Sequence, residues 1–573
     1  MKTLLCMSLA LLLAAAPALA GEDEAAENLS VWLGSQYTDF QDSPKKIGEY
    51  DKSGDGWGPE VGLNYFSRSD NTTFRLDGHY FDEENIIGQA RGTVGNTLRF
   101  NARYRSLTHQ TAQDRLANLE AREYLASTGN PGGKMLTHEI VDPDADYNIH
   151  RREILTRFQA LLSQKNNVRL SLNHRSIIED GTEQAIASNH CFSCHVTSRT
   201  RTIDQAQHQF EAGLDAEFGR LDLGYRFQYR LFDSDAPDVS AYYDPAKNPV
   251  SGAAAGEFSS RLVYDDEELV FGRLPRTEKT SHRVRLKTDL GKGRMTGSLG
   301  YARAKNKKSG ETTESLIGAA NYAVRLNDKT RLVTKGTAAR QIGGDPYIDL
   351  PTFRDGAADL NETDFDYTRI STLDRWDTRL SAQVISRLTN RLTLSVLAGY
   401  NRIDRDDYPL VNEGTSTEKL TGQARLRYRK GLRLSTAVKY RFEKVSNPFV
   451  SARGLFEAAG NDILEPLIPV SQWIFYFQRE DLRYQDITSL PTDKHVVEWK
   501  LSDRPNDRFS FSLGAKFTYD KNGDLDSLDV KHHSLQPSVA LNFIPNAKWT
   551  LAAGYTGTLD KSRLPVTVAL FDG

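Results

Sequence analysis

Apolar and polar residues alternate along this chain with a period of two, over and over. Leu221, Leu223, Tyr225, Phe227, Tyr229 and Leu231 are separated by Asp222, Gly224, Arg226, Gln228 and Arg230. Such a segment, extended, has one apolar, aromatic face and one charged face. The same pattern returns at Leu432–Phe442, Phe509–Tyr519 and Leu98–Tyr104. These runs reach ten residues or more, which is the length a tilted membrane-crossing strand needs. Strands of a soluble sandwich are shorter and favour Val, Ile and Leu inside. Here the apolar face mixes Leu and Ala with Tyr, Phe and Trp, many of them at strand ends, as an interfacial aromatic girdle requires.

Connection lengths support the same reading. Short polar turns such as Lys165-Asn166-Asn167, Gly291-Lys292-Gly293-Arg294 and Arg429-Lys430-Gly431 alternate with long links at 107–148, 179–202, 233–278, 342–370 and 446–492. Outer-membrane barrels place short turns on the periplasmic side and long loops outside. Threading by that rule predicts strands at 29–40, 58–67, 72–81, 85–93, 97–106, 149–163, 168–178, 203–217, 221–232, 279–290, 295–305, 312–326, 330–341, 372–388, 391–403, 416–428, 432–445, 493–503, 508–520, 531–544, 548–559 and 565–571. The expected fold is all-β: a transmembrane antiparallel β-barrel of about 22 strands, within a range of about 20–26, with long extracellular loops. A barrel that wide is not filled by its own side chains, so its lumen holds water or a guest.

Residues 1–20 read as a signal peptide: Lys2, an apolar run from Leu4 to Ala15, and an A-x-A site ending at Ala20. The leader looks bacterial, so the expected destination is the bacterial outer membrane, with residues 21–573 forming the barrel and a haem-motif loop at 179–202. Beyond the leader no apolar run is long enough for a membrane helix. The mean hydropathy of −0.54 does not oppose a membrane barrel, because barrels confine their apolar residues to every second position. With 73 Lys+Arg against 76 Asp+Glu there is no global basic field to gather nucleic acid.

Of three cysteines, Cys6 leaves with the leader. The other two lie in Cys191-Phe192-Ser193-Cys194-His195, a C-x-x-C-H motif of the kind that attaches c-type haem. Cys191 and Cys194 would form the two thioethers and His195 would ligate the haem iron. The alternatives are a Cys191–Cys194 disulfide in an oxidising compartment, a redox dithiol, or a metal site with His190. A distal iron ligand has to come from another segment, and His138 and His109 in the neighbouring link are the first candidates. One haem on the extracellular side cannot carry electrons across an apolar band about 25 Å tall. On the inferred lumen face Arg226, Arg230, Arg283, Arg285, Lys287, Arg379, Arg425, Arg427, Arg433, Lys439 and Arg441 suit an acidic guest or an anion-selective field, or are solvated and balanced by acids elsewhere. Asp51–Gly56 imitates the start of a calcium loop but has Gly62 at the twelfth position, and reads as a turn.

The segments Gly48-Glu49-Tyr50-Asp51-Lys52, Arg75-Leu76-Asp77-Gly78-His79-Tyr80, Gly88-Gln89-Ala90-Arg91-Gly92 and Leu98-Arg99-Phe100 resemble the MtrB/PioB family over about residues 30–106. That resemblance implies an outer-membrane barrel that sheathes a periplasmic multihaem c-type cytochrome in a porin–cytochrome conduit for extracellular electron transfer, with an extracellular cytochrome as a further partner. The chain departs from some members of that family in lacking an early C-x-x-C pair. It also resembles fused cytochrome–porins in carrying its own C-x-x-C-H, here in mid-chain, and it ends Leu570-Phe571-Asp572-Gly573 rather than on an aromatic residue. The leading expectation is therefore a conduit barrel with one covalent haem c and no bond-making activity. The alternative is a diffusion porin or specific channel with a loop disulfide, and a surface adhesin or receptor is a third reading. No triad, phosphate loop or paired-carboxylate pattern points to an enzyme.

Overall fold

The computed structural model describes residues 26–39, 49, 56–82, 84–116, 136–189, 194–243, 262–263, 267–344, 347–348, 353–355, 362–363, 367–368, 374–406, 416–431, 433–448, 490–523 and 530–564. The predicted leader, the predicted strand 565–571 and the calcium-like turn up to Asp55 lie outside these residues.

The first ten strands are β1 (Ala26–Thr38), β2 (Gly56–Arg68), β3 (Thr72–Tyr80), β4 (Ile86–Val94), β5 (Leu98–Thr111), β6 (Leu136–Ile140), β7 (Tyr147–Ser163), β8 (Val168–Asn189), β9 (Cys194–Phe218) and β10 (Leu221–Ser234). Twelve more wall strands follow: Thr277–Leu290, Gly293–Asn306, Thr312–Arg325, Thr330–Gly343, Arg375–Arg387, Leu392–Arg405, Ser416–Lys430, Leu434–Ser446, Asp493–Asp503, Phe509–Lys521, Lys531–Asn546, and Trp549–Thr556 continued by Leu559–Arg563. All belong to one 23-stranded sheet. Within it β6 is a short addition and the last two segments form one interrupted strand, which leaves 21 along the wall. Each wall strand pairs antiparallel with its neighbours in the chain, from β1·β2 onward. These 21 correspond one for one with the first 21 predicted spans.

Register carries the alternation across the wall. The rank Leu223, Leu286, Gly297, Ala320 and Gly336 runs from strand to strand on one face. On the C-terminal strands the same face carries Val396, Ala424, Tyr440, Val497, Phe517 and Leu535. Many of its large apolar side chains are exposed, among them Leu299, Leu380, Leu420 and Val438. A belt of exposed aliphatic and aromatic residues around an antiparallel sheet is stable only against lipid, since in water it would be a very large apolar patch. This is a transmembrane β-barrel of the bacterial outer-membrane type, as the alternation predicts. No helix among the described residues is long and apolar enough to cross a membrane.

The short turns use left-handed residues where the chain reverses. Gly219 (φ +65°) and Gly291 (φ +59°) sit where a Cβ would be strained. On the other side the long links partly fold. Val239–Tyr243 pairs with Glu267–Phe271, Leu262–Val263 with Phe353–Asp355, and Tyr347–Ile348 with Tyr367–Thr368. At this end of the wall and in the strands that continue beyond it, Tyr147, Thr108 and Ser198 are fully buried, and Ile203, Ala185 and Ala187 are buried as well.

Candidate functional site

The predicted loop at 179–202 is a paired hairpin. β8 and β9 continue upward past their neighbours, because β7 pairs with β8 only as far as Ile149↔Gly181 and β10 with β9 only as far as Ser234↔Gln205. Beyond Gly181 the two strands pair with each other, Thr182↔Thr202 through Asn189↔His195. At about 3.3 Å per residue the hairpin rises roughly 26 Å along its strands above the rim. Gly181, with φ +142°, marks the exit from the wall; a Cβ there would meet the Asn148 carbonyl oxygen at 2.1 Å.

The base of the hairpin is clamped. Gln184 donates from Nε2 to Ser198 Oγ at 2.6 Å and to the Asp114 carbonyl at 2.8 Å, and its Oε1 accepts from the Asp114 amide. Asp142 accepts from the Thr200 amide at 2.9 Å. The Thr200 hydroxyl and amide together hold the Asp142 carboxyl below its ordinary value of 3.8, with Arg199 adding to the effect. Arg201 pairs with Glu183 and Arg151 with Glu179 on the lumen side.

Of the haem motif, Cys194 and His195 stand at the far end of the described hairpin. Cys191 lies outside the described residues, Cys194 opens β9, and His195 is the last position to pair with β8. β6 adds to β9 in parallel, with Thr137 opposite His195 and His138 opposite Val196. The fold thus brings the backbone of His138 within one register step of His195. His109 goes elsewhere. Its rank, His109↔Ile149↔Gly181↔Ile203, puts it roughly 26 Å down the strands from His195 and about 14 Å across them, and its Nε2 contacts Glu49 Oε1 at 2.8 Å. As a distal ligand to the same iron His109 is therefore corrected: the hairpin lifts the motif out of its reach. By its chemistry, the donor set of this motif, two thiols and an adjacent imidazole, is the one a c-type haem takes.

On the lumen face the predicted cations are present, and five of the eleven have ion-pair partners among the described residues. Arg226 pairs with Asp215 at 2.5 Å, Lys287 with Asp222 at 2.8 Å, Arg441 with Glu443 at 3.3 Å and Lys439 with Glu498 at 2.9 Å. Arg379 Nε donates to Asp377 at 3.0 Å. Arg433 belongs instead to the turn preceding Leu434, because the strand starts two residues later than predicted. The acids were missed by reading cations alone, although Asp222, Asp377 and Glu443 have the same parity on the same strands.

One arc of the wall keeps an excess of positive charge. The rank Arg425↔Lys439↔Glu498↔Lys516 and, next to it, Arg427↔Ala437↔Lys500 place five cations around one carboxylate on four adjacent strands. Among the described residues, Arg425, Arg427, Lys500 and Lys516 have no ion pair. Like charges opposite one another across strands cost stability, so the arc is a standing attraction for anionic groups in the lumen.

The chain matches no protein-family model and no curated protein sequence. Solved structures similar to it include the FrpB iron transporter of Neisseria meningitidis (F3-3 variant), with 10% identity, 92% of this chain and 75% of that one covered, and a TM-score of 0.43. The ferric-catecholate import receptor Fiu of E. coli K12 is similar at 10% identity over 86% and 74%, with a TM-score of 0.41. The ferric preacinetobactin receptor BauA of Acinetobacter baumannii is similar at 8% identity over 92% and 74%, also with a TM-score of 0.41.

Proposed function

We propose that this barrel is the outer-membrane component of a porin–cytochrome conduit of the MtrB/PioB type. Its lumen sheathes a periplasmic multihaem c-type cytochrome, and Cys191, Cys194 and His195 carry one covalent haem c at the hairpin tip. The observation that carries the reading is the placement of Cys194 and His195 at the end of a paired hairpin that extends roughly 26 Å along its strands beyond the rim, where an extracellular acceptor or cytochrome can reach them. Haem bound there supplies a one-electron carrier. The protein holds that carrier through the two thiols and His195 and fixes its height through the clamps at Gln184 and Asp142. The 22 residues of β8 extend roughly 70 Å, or about 55 Å in height at a 40° tilt, so a tip haem works only with carriers inside the lumen. The cationic arc at Arg425, Arg427, Lys500 and Lys516 supplies the attraction for an acidic guest.

The test is a haem stain of the purified protein on a denaturing gel, with Cys194→Ala beside wild type. Wild type should stain and the variant should not; an unstained wild type removes the haem from the reading. The unpaired lumen cations also favour a second reading, an anion-preferring diffusion porin with a Cys191–Cys194 disulfide. Large conductance from the isolated barrel, with no cytochrome copurifying, would select it.

A further inference from the structure

On the outward face of the C-terminal strands, side chains are zoned in three ranks toward the side with the long links. The lowest rank is apolar: Val497, Phe517, Leu535 and Leu559 follow one another in register, and all four are exposed. Above it lie Phe442, His495, Tyr519, His533 and Lys561. Their rings touch in sequence, Phe442 to His495 at 5.1 Å, His495 to Tyr519 at 6.1 Å and Tyr519 to His533 at 4.9 Å. The Tyr440 hydroxyl, from the rank below, fixes His495 through Nδ1 at 2.8 Å. The top rank is Lys444, Asp493, Lys521, Lys531 and Arg563.

Apolar, aromatic and cationic ranks in that order match the layers of a leaflet from acyl chain to headgroup. The acids at the level of the top ranks face mostly inward. His532 lies between Asp520 at 3.2 Å and Asp560 at 2.8 Å, and Lys494 takes Asp520 at 3.4 Å. Outward, among the described residues, Asp493 is the one acid beside these cations, and it accepts from Thr492 Oγ1 at 3.1 Å. Among the described residues, Lys444, Lys521 and Lys561 have no ion pair.

We propose that Lys444, Lys521, Lys531, Lys561 and Arg563 form a docking site for the phosphate groups of an anionic glycolipid in the outer leaflet. Its acyl chains lie on Phe517, Leu535 and Leu559. The site rests on the orientation of the barrel, with long links outside, and is independent of any electron-transfer role.

The test uses the refolded full chain in detergent micelles. Binding of bisphosphorylated lipid A is measured by thermophoresis beside its dephosphorylated form and beside inorganic phosphate. An interfacial lysine is worth about fivefold in affinity for an anionic headgroup. The triple variant Lys444→Gln, Lys521→Gln, Lys561→Gln should therefore bind lipid A roughly 100-fold more weakly. Lys335→Gln, which removes the same charge from the lumen face, should bind as wild type does. If the triple variant does not refold, Lys521→Gln and Lys561→Gln alone, at about fivefold each, carry the test. Retention of affinity in these variants, equal binding of dephosphorylated lipid, or full displacement by millimolar inorganic phosphate would overturn the proposal.

Discussion

Val396 and Leu397 are neighbours on one strand and differ in what they face. Val396 points outward, 46% exposed, in register with Val384 and Ala424, and Leu394 and Ala398 extend the belt below and above it. Leu397 points into the lumen between Gln383 and Gln423. An arginine at a mid-belt lipid-facing position of a barrel costs about 2–4 kcal/mol. The same residue at a wetted surface costs within about 0.5 kcal/mol. Val396→Arg should thus lose some 2–3 kcal/mol more than Leu397→Arg, although both replace an aliphatic residue by the same cation. Urea titration of the two variants folded into phospholipid vesicles measures this directly. At a slope of about 2 kcal/mol per molar, the Val396→Arg midpoint falls by about 1 M or more and that of Leu397→Arg scarcely moves. Equal losses, or a larger loss for Leu397→Arg, would refute the assignment of the two faces and with it the membrane belt.

Two further outcomes follow from the hairpin. Gly181→Ala forces a Cβ against the Asn148 carbonyl at a positive φ, so it should cost about 1–3 kcal/mol, read as faster hydrogen exchange in 182–189 and 194–202 with the wall strands unchanged. The Asp142 clamp should be acid-labile. Its folded carboxyl is held low by Thr200, so its contribution is complete above the unfolded value near 3.8 and is lost as pH falls through the lower folded value. Exchange protection at the Thr200 amide, corrected for intrinsic rate, should hold at pH 6 and be lost only as pH falls below the ordinary carboxyl value of 3.8, and Thr200→Val should move that loss to higher pH.

The wall was legible because lipid and water on opposite faces write a strong alternation. Leu221 to Leu231 predicts a strand at 221–232, and the strand runs Leu221–Ser234. The same rule fails above the rim. Residues 182–189 and 195–202 have water or links on both sides, so Thr182, Gln184, Ile186 and Ser188 alternate with Glu183, Ala185 and Ala187 without contrast, and a paired hairpin reads as a loop. For the site, C-x-x-C-H and His138 were visible as chemistry, but their height and register depend on long-range pairing of β6 and β9 that no local pattern encodes. Lumen cations were legible by parity, whereas the partner of Arg226 is Asp215, on the preceding strand across a turn.

The hairpin also has a mechanical side. Its strands are the wall strands themselves, running unbroken from the turns at the opposite rim to the tip, and flanked by β7 and β10 for much of their length. A pull on the tip by a bound particle or partner loads those flanking hydrogen-bond ladders in shear, many bonds at once, and does not peel them one by one. Cys194 and His195 thus stand on a projection that can be tugged from outside without being unzipped from the barrel.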